Sequence, residues 1–203
     1  MFITFEGPEG SGKTSTVAWL ASWLEARGRR VVTAREPGGT PVGEQVRSLL
    51  LRSGEHMSAY TSLLLFNAAR AELVTRVLQP ALAAGSIVIC DRFTDSTLAY
   101  QGYGEGVPLE TVRRANDLGS QALMPDLTIL LDIDAEEGLR RRRQSSEWNT
   151  IDDRPLAFHQ AVRSGFLALA AQEPRRWLVI DAARPVEEVQ EAIASRMLSL
   201  MER

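Results

Sequence analysis

Eight consecutive residues near the start of the chain have the types and the spacing of a phosphate-binding loop. From Gly7 to Thr14 they match the pattern G-x-x-x-x-G-K-[ST] in full. In such a P-loop the backbone N–H groups and the following helix N-terminus hold phosphate oxygens, the lysine reaches the β- and γ-phosphates, and the last hydroxyl meets Mg²⁺. A Gly-rich turn that fits the pattern by chance is the alternative. The candidate ATP-binding residues are Gly7, Pro8, Glu9, Gly10, Ser11, Gly12, Lys13 and Thr14.

Lys13 is the chain's one lysine, although lysine and arginine together number 23 residues. A lysine ammonium is a compact point charge, whereas an arginine guanidinium is a planar fork. All the other basic residues are arginine. This contrast indicates that position 13 requires a compact ammonium and that a guanidinium would not replace it. Lys13 is accordingly the first candidate catalytic residue.

Around this loop, apolar runs of strand length alternate with amphipathic stretches of helix length, a pattern that is typical of α/β proteins with a parallel sheet. The predicted strands are 2–6, 30–34, 86–91, 126–132 and 176–181. The predicted helices lie near 13–27, 41–53, 57–84, 108–122, 135–143, 155–172 and 185–202. Pro80 lies inside the third helix, so we expect that helix to bend or break there. The predicted fold is a three-layer α/β P-loop NTPase fold, with a five-stranded parallel sheet flanked by helices on both faces, in one domain spanning 1–203.

Two further strands end in residues that suit phosphate and metal chemistry. The second strand runs into Arg35-Glu36-Pro37-Gly38-Gly39-Thr40, and the third runs into Asp91-Arg92-Phe93. Because ligands of such sheets bind at the carboxyl ends of the strands, we expect both segments to face the P-loop across one crevice. Arg92 can grip an acceptor phosphate with two hydrogen bonds, and Asp91 suits Mg²⁺, directly or through water, or the acceptor's protonation state. A purely structural Asp-Arg ion pair is the alternative.

Composition limits the class of protein. The 203 residues are 44% hydrophobic and 24% charged, which is ordinary for a globular domain, and a net charge of −3 gives no reason to expect nucleic-acid binding. No apolar run reaches the roughly 18 residues of a membrane span, and no signal segment precedes the first strand, so we expect no membrane partner and a cytoplasmic location. Cys90, the one cysteine, lies in an apolar run that predicts burial, and His56 and His159 are too isolated for a metal cluster.

The P-loop occurs in motors, GTPases, transport ATPases and kinases, and the rest of the sequence separates these classes. A GTPase should carry an Asn-Lys-x-Asp segment to read guanine, but the single lysine is already used at Lys13. Motors and transport ATPases usually have longer chains. Small-molecule kinases are therefore the leading class.

The chain resembles the thymidylate kinase family over nearly its whole length. The segments that carry the resemblance are Phe5-Glu6-Gly7 with the P-loop, Arg35 to Thr40, Phe66-Asn67-Ala68-Ala69-Arg70, Asp91 to Gly102, and Pro125-Asp126-Leu127-Thr128. The third and fourth of these are specific to that family. The resemblance implies transfer of the ATP γ-phosphoryl group to dTMP, giving dTDP, by a cytoplasmic, Mg²⁺-dependent homodimer.

An acceptor site follows from the same segments. Phe66 and Arg70 are spaced i, i+4 and share one helix face, so the ring could stack on a pyrimidine while the guanidinium donates to its O4. A core phenylalanine beside a solvated arginine is the alternative. By resemblance, Thr97 lies near thymine N3, Tyr100 lies against the sugar where it excludes a 2′-hydroxyl, and Glu9 lies near the 3′-hydroxyl. The candidate dTMP-binding residues are Glu9, Arg35, Pro37, Arg47, Phe66, Arg70, Arg92, Thr97, Tyr100 and Gln101.

Other charged residues near this site have more than one interpretation. Arg47, by resemblance to bacterial members, and Arg35 add positive charge around the acceptor phosphate, although Arg47 could simply be solvated. Glu36 either supports the sugar side or braces Arg35, and the sequence leaves both open.

A run of four arginines, Arg140 to Arg143, leads into a polar stretch from Gln144 to Thr150 and predicts a mobile lid at about 140–154. Four consecutive helical residues span about 400° at 3.6 residues per turn, so these arginines cannot all face one site. The lid is longer than in the family pattern. Pro155-Leu156 follows Asp153-Arg154, whereas members of the family often carry an acid two residues after this arginine. The pattern therefore indicates that an arginine of the lid contributes to the site, but it identifies the individual arginine less firmly.

Phosphoryl transfer needs charge neutralisation as the γ-phosphoryl group moves, and an arginine from a closing element often supplies it. Members of the family place this arginine in the P-loop or in the lid. In this chain Glu9 and Gly10 occupy the P-loop positions in question, so the resemblance implies that the arginine comes from the lid. We predict Arg143 and Arg154 for this role. The candidate catalytic residues are Lys13, Asp91, Arg92, Arg143 and Arg154, and the candidate Mg²⁺ ligands are Thr14 and Asp91.

Two other functions stay open at this point. One is a kinase for another nucleoside or nucleotide, and the other is a non-catalytic, ATP-gated binding module that kept the P-loop. Apolar faces expected on helices 57–79 and 108–122 would suit the homodimer that the resemblance implies.

Overall fold

The computed structural model of the chain describes residues 1–52, 57–144 and 148–201. Predictions made for Ser53, His56, residues 145–147 of the lid and residue 202 lie outside the described residues.

A single parallel sheet forms the middle layer of the described structure. Its strands are β1 (Phe2–Glu6), β2 (Val31–Arg35), β3 (Ile87–Asp91), β4 (Leu127–Asp132) and β5 (Trp177–Asp181). They lie in the order β2-β3-β1-β4-β5, with every neighbouring pair parallel. The predicted five-stranded parallel sheet is therefore confirmed, and each predicted boundary lies within one residue of the observed one.

Helices connect these strands and cover the sheet. They are α1 (Lys13–Glu25), α2 (Pro41–Arg52), α3 (Ala59–Leu73), α4 (Gln79–Ala83), α5 (Thr94–Thr97), α6 (Leu109–Ser120), α7 (Ala135–Arg142), α8 (Leu156–Gln172) and α9 (Val186–Met201). Two wider helical turns, Val74–Leu78 and Leu98–Gly104, carry i→i+5 hydrogen bonds of the π type.

Both faces of the sheet are covered by buried apolar side chains. Ile3 and Phe5 of β1 pack with α1 and α9 on one face, whereas Phe2 packs with the end of α3 and the turn after it on the other. Successive residues of a strand point to opposite faces, so a strand buried on both sides reads as a continuous apolar run. The three-layer arrangement follows from this pattern.

The chain stays helical through Pro80, where the sequence predicts a bend or a break. The turn before the proline widens instead, and the N–H of Gln79 donates to the carbonyl of Val74, five residues back. Proline lacks an N–H and clashes with the carbonyl of the preceding turn, and a widened turn relieves that clash. The helix is therefore disturbed at Pro80 without ending there.

The helical stretch from Thr94 to Gly104 has no counterpart in the sequence prediction. β-branched threonines and two glycines lower its intrinsic helix propensity. Packing against α8 compensates, since a Cβ at Gly104 would lie 2.6 Å from the Phe158 ring. The glycine thus allows a close approach that a local pattern does not reveal.

Within the described ranges, no helix has the length and apolar character to cross a bilayer.

Candidate functional site

The carboxyl ends of β1, β2 and β3 meet at one edge of the sheet. Asp91 is the register partner of both Phe5 and Arg35, so the segments that follow the three strands start at the same level. They border one cleft of about 1090 Å³, which is large enough for more than one small ligand. The predicted site residues that line it are Glu9, Gly10, Ser11, Gly12, Lys13, Thr14, Arg35, Pro37, Arg47, Phe66, Arg70, Asp91, Arg92, Thr97, Tyr100 and Gln101.

Lys13 begins α1 and turns back into the P-loop. Its Nζ donates to the carbonyls of Gly7 at 2.9 Å and Pro8 at 2.7 Å and to Ser11 Oγ at 3.1 Å. The side chain is only 8% exposed, and this burial, together with the charge of Arg92, lowers its pKa to about 8. A compact ammonium therefore fills a space bounded by backbone.

Thr14 and Asp91 lie together at the mouth of the loop. Thr14 Oγ1 donates to Asp91 Oδ2 at 3.0 Å, which joins the end of β3 to the start of α1. A hydroxyl and a carboxylate oxygen are ligands that Mg²⁺ accepts, with phosphate and water completing its octahedral shell. The predicted pair fits Mg²⁺ on these grounds, and no group of three or more His, Cys, Asp or Glu side chains among the described residues forms a competing site.

Arg92 lies in the left-handed region, with a φ of 72°, and points its guanidinium across the cleft. It donates to the Gly7 carbonyl and to Ser96 Oγ, both at 3.1 Å, and to Glu9 Oε1 at 3.1 Å. The guanidinium carbon lies 4.9 Å from the centre of the Tyr100 ring. Contacts on several sides therefore fix this cation in position beside the P-loop.

Glu6, at the end of β1, secures the backbone that carries Arg92. One carboxylate oxygen accepts from the N–H of Phe93 at 2.8 Å and the other lies 2.5 Å from Ser96 Oγ. Burial and the nearby charge of Asp95 raise the pKa of Glu6 to about 8. The folded structure therefore favours the protonated form of this carboxyl more than water does.

Glu9 lies inside the P-loop and faces the cleft. Its Oε1 accepts from Tyr100 Oη at 2.5 Å and from Arg92 at 3.1 Å, and His159 Nδ1 lies 3.5 Å from its Oε2. Burial opposes its ionisation, but His159, the charges of Arg92 and Lys13, and the Tyr100 hydroxyl outweigh burial and lower its pKa to about 2. Glu9 is therefore an anion held among donors.

Arg70 is 1% exposed and is surrounded by acceptors. It pairs with Glu36 Oε2, with an Nη2 to Oε2 distance of 2.7 Å, and it donates to Thr97 Oγ1 at 2.7 Å. Its Nη1 donates to the side-chain oxygens of Asn67 at 2.9 Å and Asn116 at 2.7 Å. The predicted hydrogen bond from Arg70 to a base therefore has to share a donor that the protein already uses.

Glu36 does not brace Arg35, which was one of the two interpretations that the sequence left open. Glu36 braces Arg70, and burial raises its pKa while the charge of Arg70 opposes that shift. Arg35 pairs instead with Glu44 at 3.2 Å, on the exposed rim. Arg47 donates to the carbonyl of Pro37 at 2.9 Å, which places this arginine on the same rim.

Helix α7, which carries Arg140, Arg141 and Arg142 and ends just before Arg143, lies directly against the P-loop. A Cβ at Gly138 would lie 2.4 Å from the Glu9 carbonyl, and a Cβ at Gly10 would lie 2.0 Å from the Gly138 carbonyl. The two glycines thus allow contact between the backbones of the loop and of α7. Of the arginines that follow, Arg141 and Arg142 line the cleft.

Arg143 and Arg154, the two predicted lid arginines, do not line this cleft. Arg143 lies over the Trp148 ring, and Arg154 pairs with Glu105 at 3.0 Å and lies over the Phe158 ring. Arg142 pairs with Asp152 at 3.2 Å. The rotation of α7 against the P-loop decides which of its arginines face the cleft. The spacing of four consecutive arginines could not predict this.

Glu6, Ser96 and His159 take part in the site but were not among the residues predicted from the sequence. Glu6 had a signal, since a carboxylate ends a mostly apolar strand that leads into the P-loop. His159 had none, because nothing nearby in sequence resembles a ligand set. Its 3.5 Å distance to Glu9 results from the packing of α8.

Comparisons with known proteins point to one enzyme family. The family model for thymidylate kinase matches residues 5–193. The thymidylate kinase of Chlamydia caviae is 50% identical over 191 residues, covering 93% of this chain and 92% of the relative, and that of Thermomicrobium roseum is 48% identical over 203 residues, covering 100% and 96%. The crystal structure of thymidylate kinase from Ehrlichia chaffeensis matches with a TM-score of 0.79 at 38% identity, covering 97% of this chain and 98% of the other.

Replacing Glu6 with glutamine should flatten the pH dependence of stability. The pKa of Glu6 is 4.5 in the reference state and about 8 in the folded state, so between these values the folded protein keeps a proton that the unfolded chain releases. The contribution of this proton to the free energy of unfolding is therefore fully present below pH 4.5 and is lost as the pH rises through 8. The limiting slope is about 1.4 kcal/mol per pH unit, so we expect a loss of roughly 1–2 kcal/mol between pH 6 and 7.5.

Urea unfolding of the wild type and of Glu6→Gln at pH 6 and 7.5 checks this expectation. Glu25→Gln, at the exposed end of α1, is the control and should behave like the wild type. Parallel pH profiles for the wild type and Glu6→Gln would contradict the assignment of the proton to Glu6.

Proposed function

The chain belongs to the thymidylate kinase family, and we propose that it transfers the γ-phosphoryl group of ATP to dTMP, forming dTDP and ADP, in the cleft at the carboxyl edge of the sheet. It is an ATP-dependent nucleoside monophosphate kinase that uses Mg²⁺. One observation carries the proposal: a single cleft joins a complete P-loop to a second set of fixed cations headed by Arg92. Two phosphorylated ligands could meet there.

On the donor side, the P-loop N–H groups and the N-terminus of α1 hold the ATP phosphates. Lys13 reaches the β- and γ-phosphates from the cage of carbonyls that holds it. Thr14 and Asp91 would hold Mg²⁺, and the ion would neutralise phosphate charge when bound. These residues orient the γ-phosphoryl group toward the acceptor.

On the acceptor side, Arg92 grips the dTMP phosphate, with Arg35 and Arg47 adding positive charge at the rim. When the dTMP phosphate binds to Arg92, it competes with the Glu9 carboxylate for hydrogen bonds from the guanidinium. The acceptor oxygen is thereby brought near the γ-phosphoryl group, and positioning of this kind is a large part of phosphoryl-transfer catalysis.

The nucleoside part of dTMP is read further into the cleft. Phe66 stacks on thymine, and Arg70 and Thr97, which are bonded to each other at 2.7 Å, face its polar edge. Tyr100 lies against the sugar, where its ring excludes a 2′-hydroxyl, and Glu9 accepts the 3′-hydroxyl. Pro37 and Gln101 complete the wall of this acceptor pocket.

The arginine that neutralises the transferring phosphate comes from the end of α7. Arg141 and Arg142 line the cleft, and this supports one of them in that role. Arg143 and Arg154 remain predictions for the same role, and they need a rearrangement of the lid because Arg143 lies over Trp148 and Arg154 is bonded to Glu105. A lid at about 140–154 also remains a prediction.

A homodimer and a cytoplasmic location are further parts of the proposal. The packed helices α3 and α6 leave Tyr60 and Leu64, one turn apart, and Leu118 exposed to solvent. An apolar surface of this kind on neighbouring helices supports a symmetric contact between two copies. The cytoplasm supplies the ATP that this reaction consumes.

A substrate panel tests the proposed function. ATP is offered with dTMP, dUMP, CMP, AMP and thymidine, and ADP formation is measured together with the phosphorylated product. We expect dTMP to have the highest kcat/KM. A preference for another acceptor would show a different nucleotide or nucleoside kinase, and ATP binding without any product would show a non-catalytic module.

Changing Lys13 to arginine should keep the fold and abolish most turnover. The ammonium lies within 3.1 Å of three acceptors, and the larger planar guanidinium does not fit that cage. Loss of one preorganised donor in comparable sites lowers kcat by about 100-fold or more. Steady-state kinetics with ATP and dTMP measure the change, and Arg76→Lys on the exposed turn 74–78 is the control. A near-normal kcat for Lys13→Arg would contradict this role of the ammonium.

A charge on the exposed apolar surface should prevent the homodimer. Leu118 is 81% exposed and Leu64 is 65% exposed, so glutamate at either position costs little in an isolated chain but would be desolvated at an interface. We expect sedimentation velocity to show a dimer for the wild type and a monomer for Leu64→Glu and Leu118→Glu. Leu198→Glu, on α9, should stay dimeric. A wild-type monomer would contradict the dimer proposal.

A further inference from the structure

His159 on α8 has a place in the site that the reaction so far leaves unused. It is 2% exposed and is absent from the lining of the cleft, yet its Nδ1 lies 3.5 Å from Oε2 of Glu9. We propose that His159 is a positioning residue that holds Glu9 Oε2 ready to accept the 3′-hydroxyl of dTMP, and thereby contributes to the selection of acceptors that carry this hydroxyl. The inference rests on the proposed function.

The two oxygens of Glu9 have different surroundings. Oε1 already accepts from Tyr100 Oη at 2.5 Å and from Arg92 Nη2 at 3.1 Å. Oε2 is buried and accepts no hydrogen bond within the described part of the chain. Since a carboxylate oxygen has lone pairs for about two donors, Oε2 is the oxygen with capacity for a substrate hydroxyl.

The approach of His159 to this oxygen comes from tertiary packing. α8 packs on the helical turn 98–104 that carries Tyr100, so Tyr100 and His159 reach Glu9 from two elements in contact with each other. The separation of 3.5 Å is long for a hydrogen bond, and catalytic hydrogen bonds often shorten only when the substrate binds. Tyr100 therefore anchors one oxygen of Glu9, and His159 restrains the other.

Stability alone does not account for a histidine at this position. Its Nε2 is buried and has no hydrogen-bond partner among the described residues, and an unsatisfied buried polar atom is unfavourable. The adjacent Phe158 ring meets the imidazole edge to face, with ring centres 5.3 Å apart. A phenylalanine would fill the same space without a buried polar atom, so the nitrogen that faces Glu9 is the feature that distinguishes histidine here.

The test compares two acceptors that differ only at the 3′ position, dTMP and 3′-deoxy-dTMP. His159→Phe keeps an aromatic ring but removes both nitrogens, and His159→Asn keeps a donor near the position of Nδ1. His159→Gln places its nitrogen near the position of Nε2. We expect His159→Phe and His159→Gln to lower the ratio of kcat/KM for dTMP to that for 3′-deoxy-dTMP roughly tenfold, and His159→Asn to retain most of it.

A double-mutant cycle with Glu9→Gln shows whether His159 acts through Glu9. In that background His159→Phe should change the ratio by less than about twofold, because the oxygen that it restrains is already altered. Thermal unfolding and the KM for ATP report on the fold of each variant. If His159→Phe does not fold, the comparison of His159→Asn with His159→Gln decides the question.

Failure of this inference and failure of the proposed function give different results. Wild-type protein that forms no dTDP from ATP and dTMP would overturn the function itself. An active His159→Phe variant with an unchanged ratio, or equal losses for both acceptors, would overturn only the role of His159. Equal ratios for His159→Asn and His159→Gln would overturn the assignment to Nδ1.

Discussion

Buried charge at the carboxyl edge of the sheet is the constraint on which the rest of this structure depends. An ionised side chain that leaves water loses several kcal/mol of solvation unless partners replace it. Each charge at this edge has such partners: Lys13 has backbone carbonyls, Arg92 has Glu9 and Ser96, and Arg70 has Glu36. Cations that suit phosphate and base recognition are thus fixed before a ligand arrives, which is the condition for electrostatic preorganisation.

The partners also explain why elements far apart in the sequence have to pack closely. Glu6 secures the backbone after Arg92, and burial together with the nearby charge of Asp95 favours the protonated form of this carboxyl. The lack of a side chain at Gly138 allows backbone contact between the P-loop and α7, and this contact places the start of the arginine run near the P-loop. A change in the packing of α7 would therefore act on the backbone of Glu9, and a change in the packing of α8 would act on its side chain through His159.

Elements whose conformation depends on their own sequence were predicted well, whereas elements that depend on tertiary contacts were not. All five strands were predicted to within one residue, and for the central strands β1, β3 and β4 the reason is that a parallel strand buried on both faces is mostly apolar. The helical stretch from Thr94 to Gly104 was not predicted, because β-branched residues and glycines disfavour a helix and only contact with Phe158 compensates. Pro80 predicted a bend or a break, and the chain stays helical there through a widened turn that the sequence did not specify.

The sequence by itself determined the P-loop, the order of strands and helices, the family resemblance and most of the residues that line the cleft. These depend on local spacing and on the rule that parallel strands place their carboxyl ends at one edge. The tertiary structure alone decided that Glu36 pairs with Arg70, that Arg141 and Arg142 line the cleft while Arg143 and Arg154 do not, and that His159 lies beside Glu9. Each of these depends on how one element is rotated and packed against another, and a hydrogen bond between side chains distant in sequence forms only after that packing is fixed.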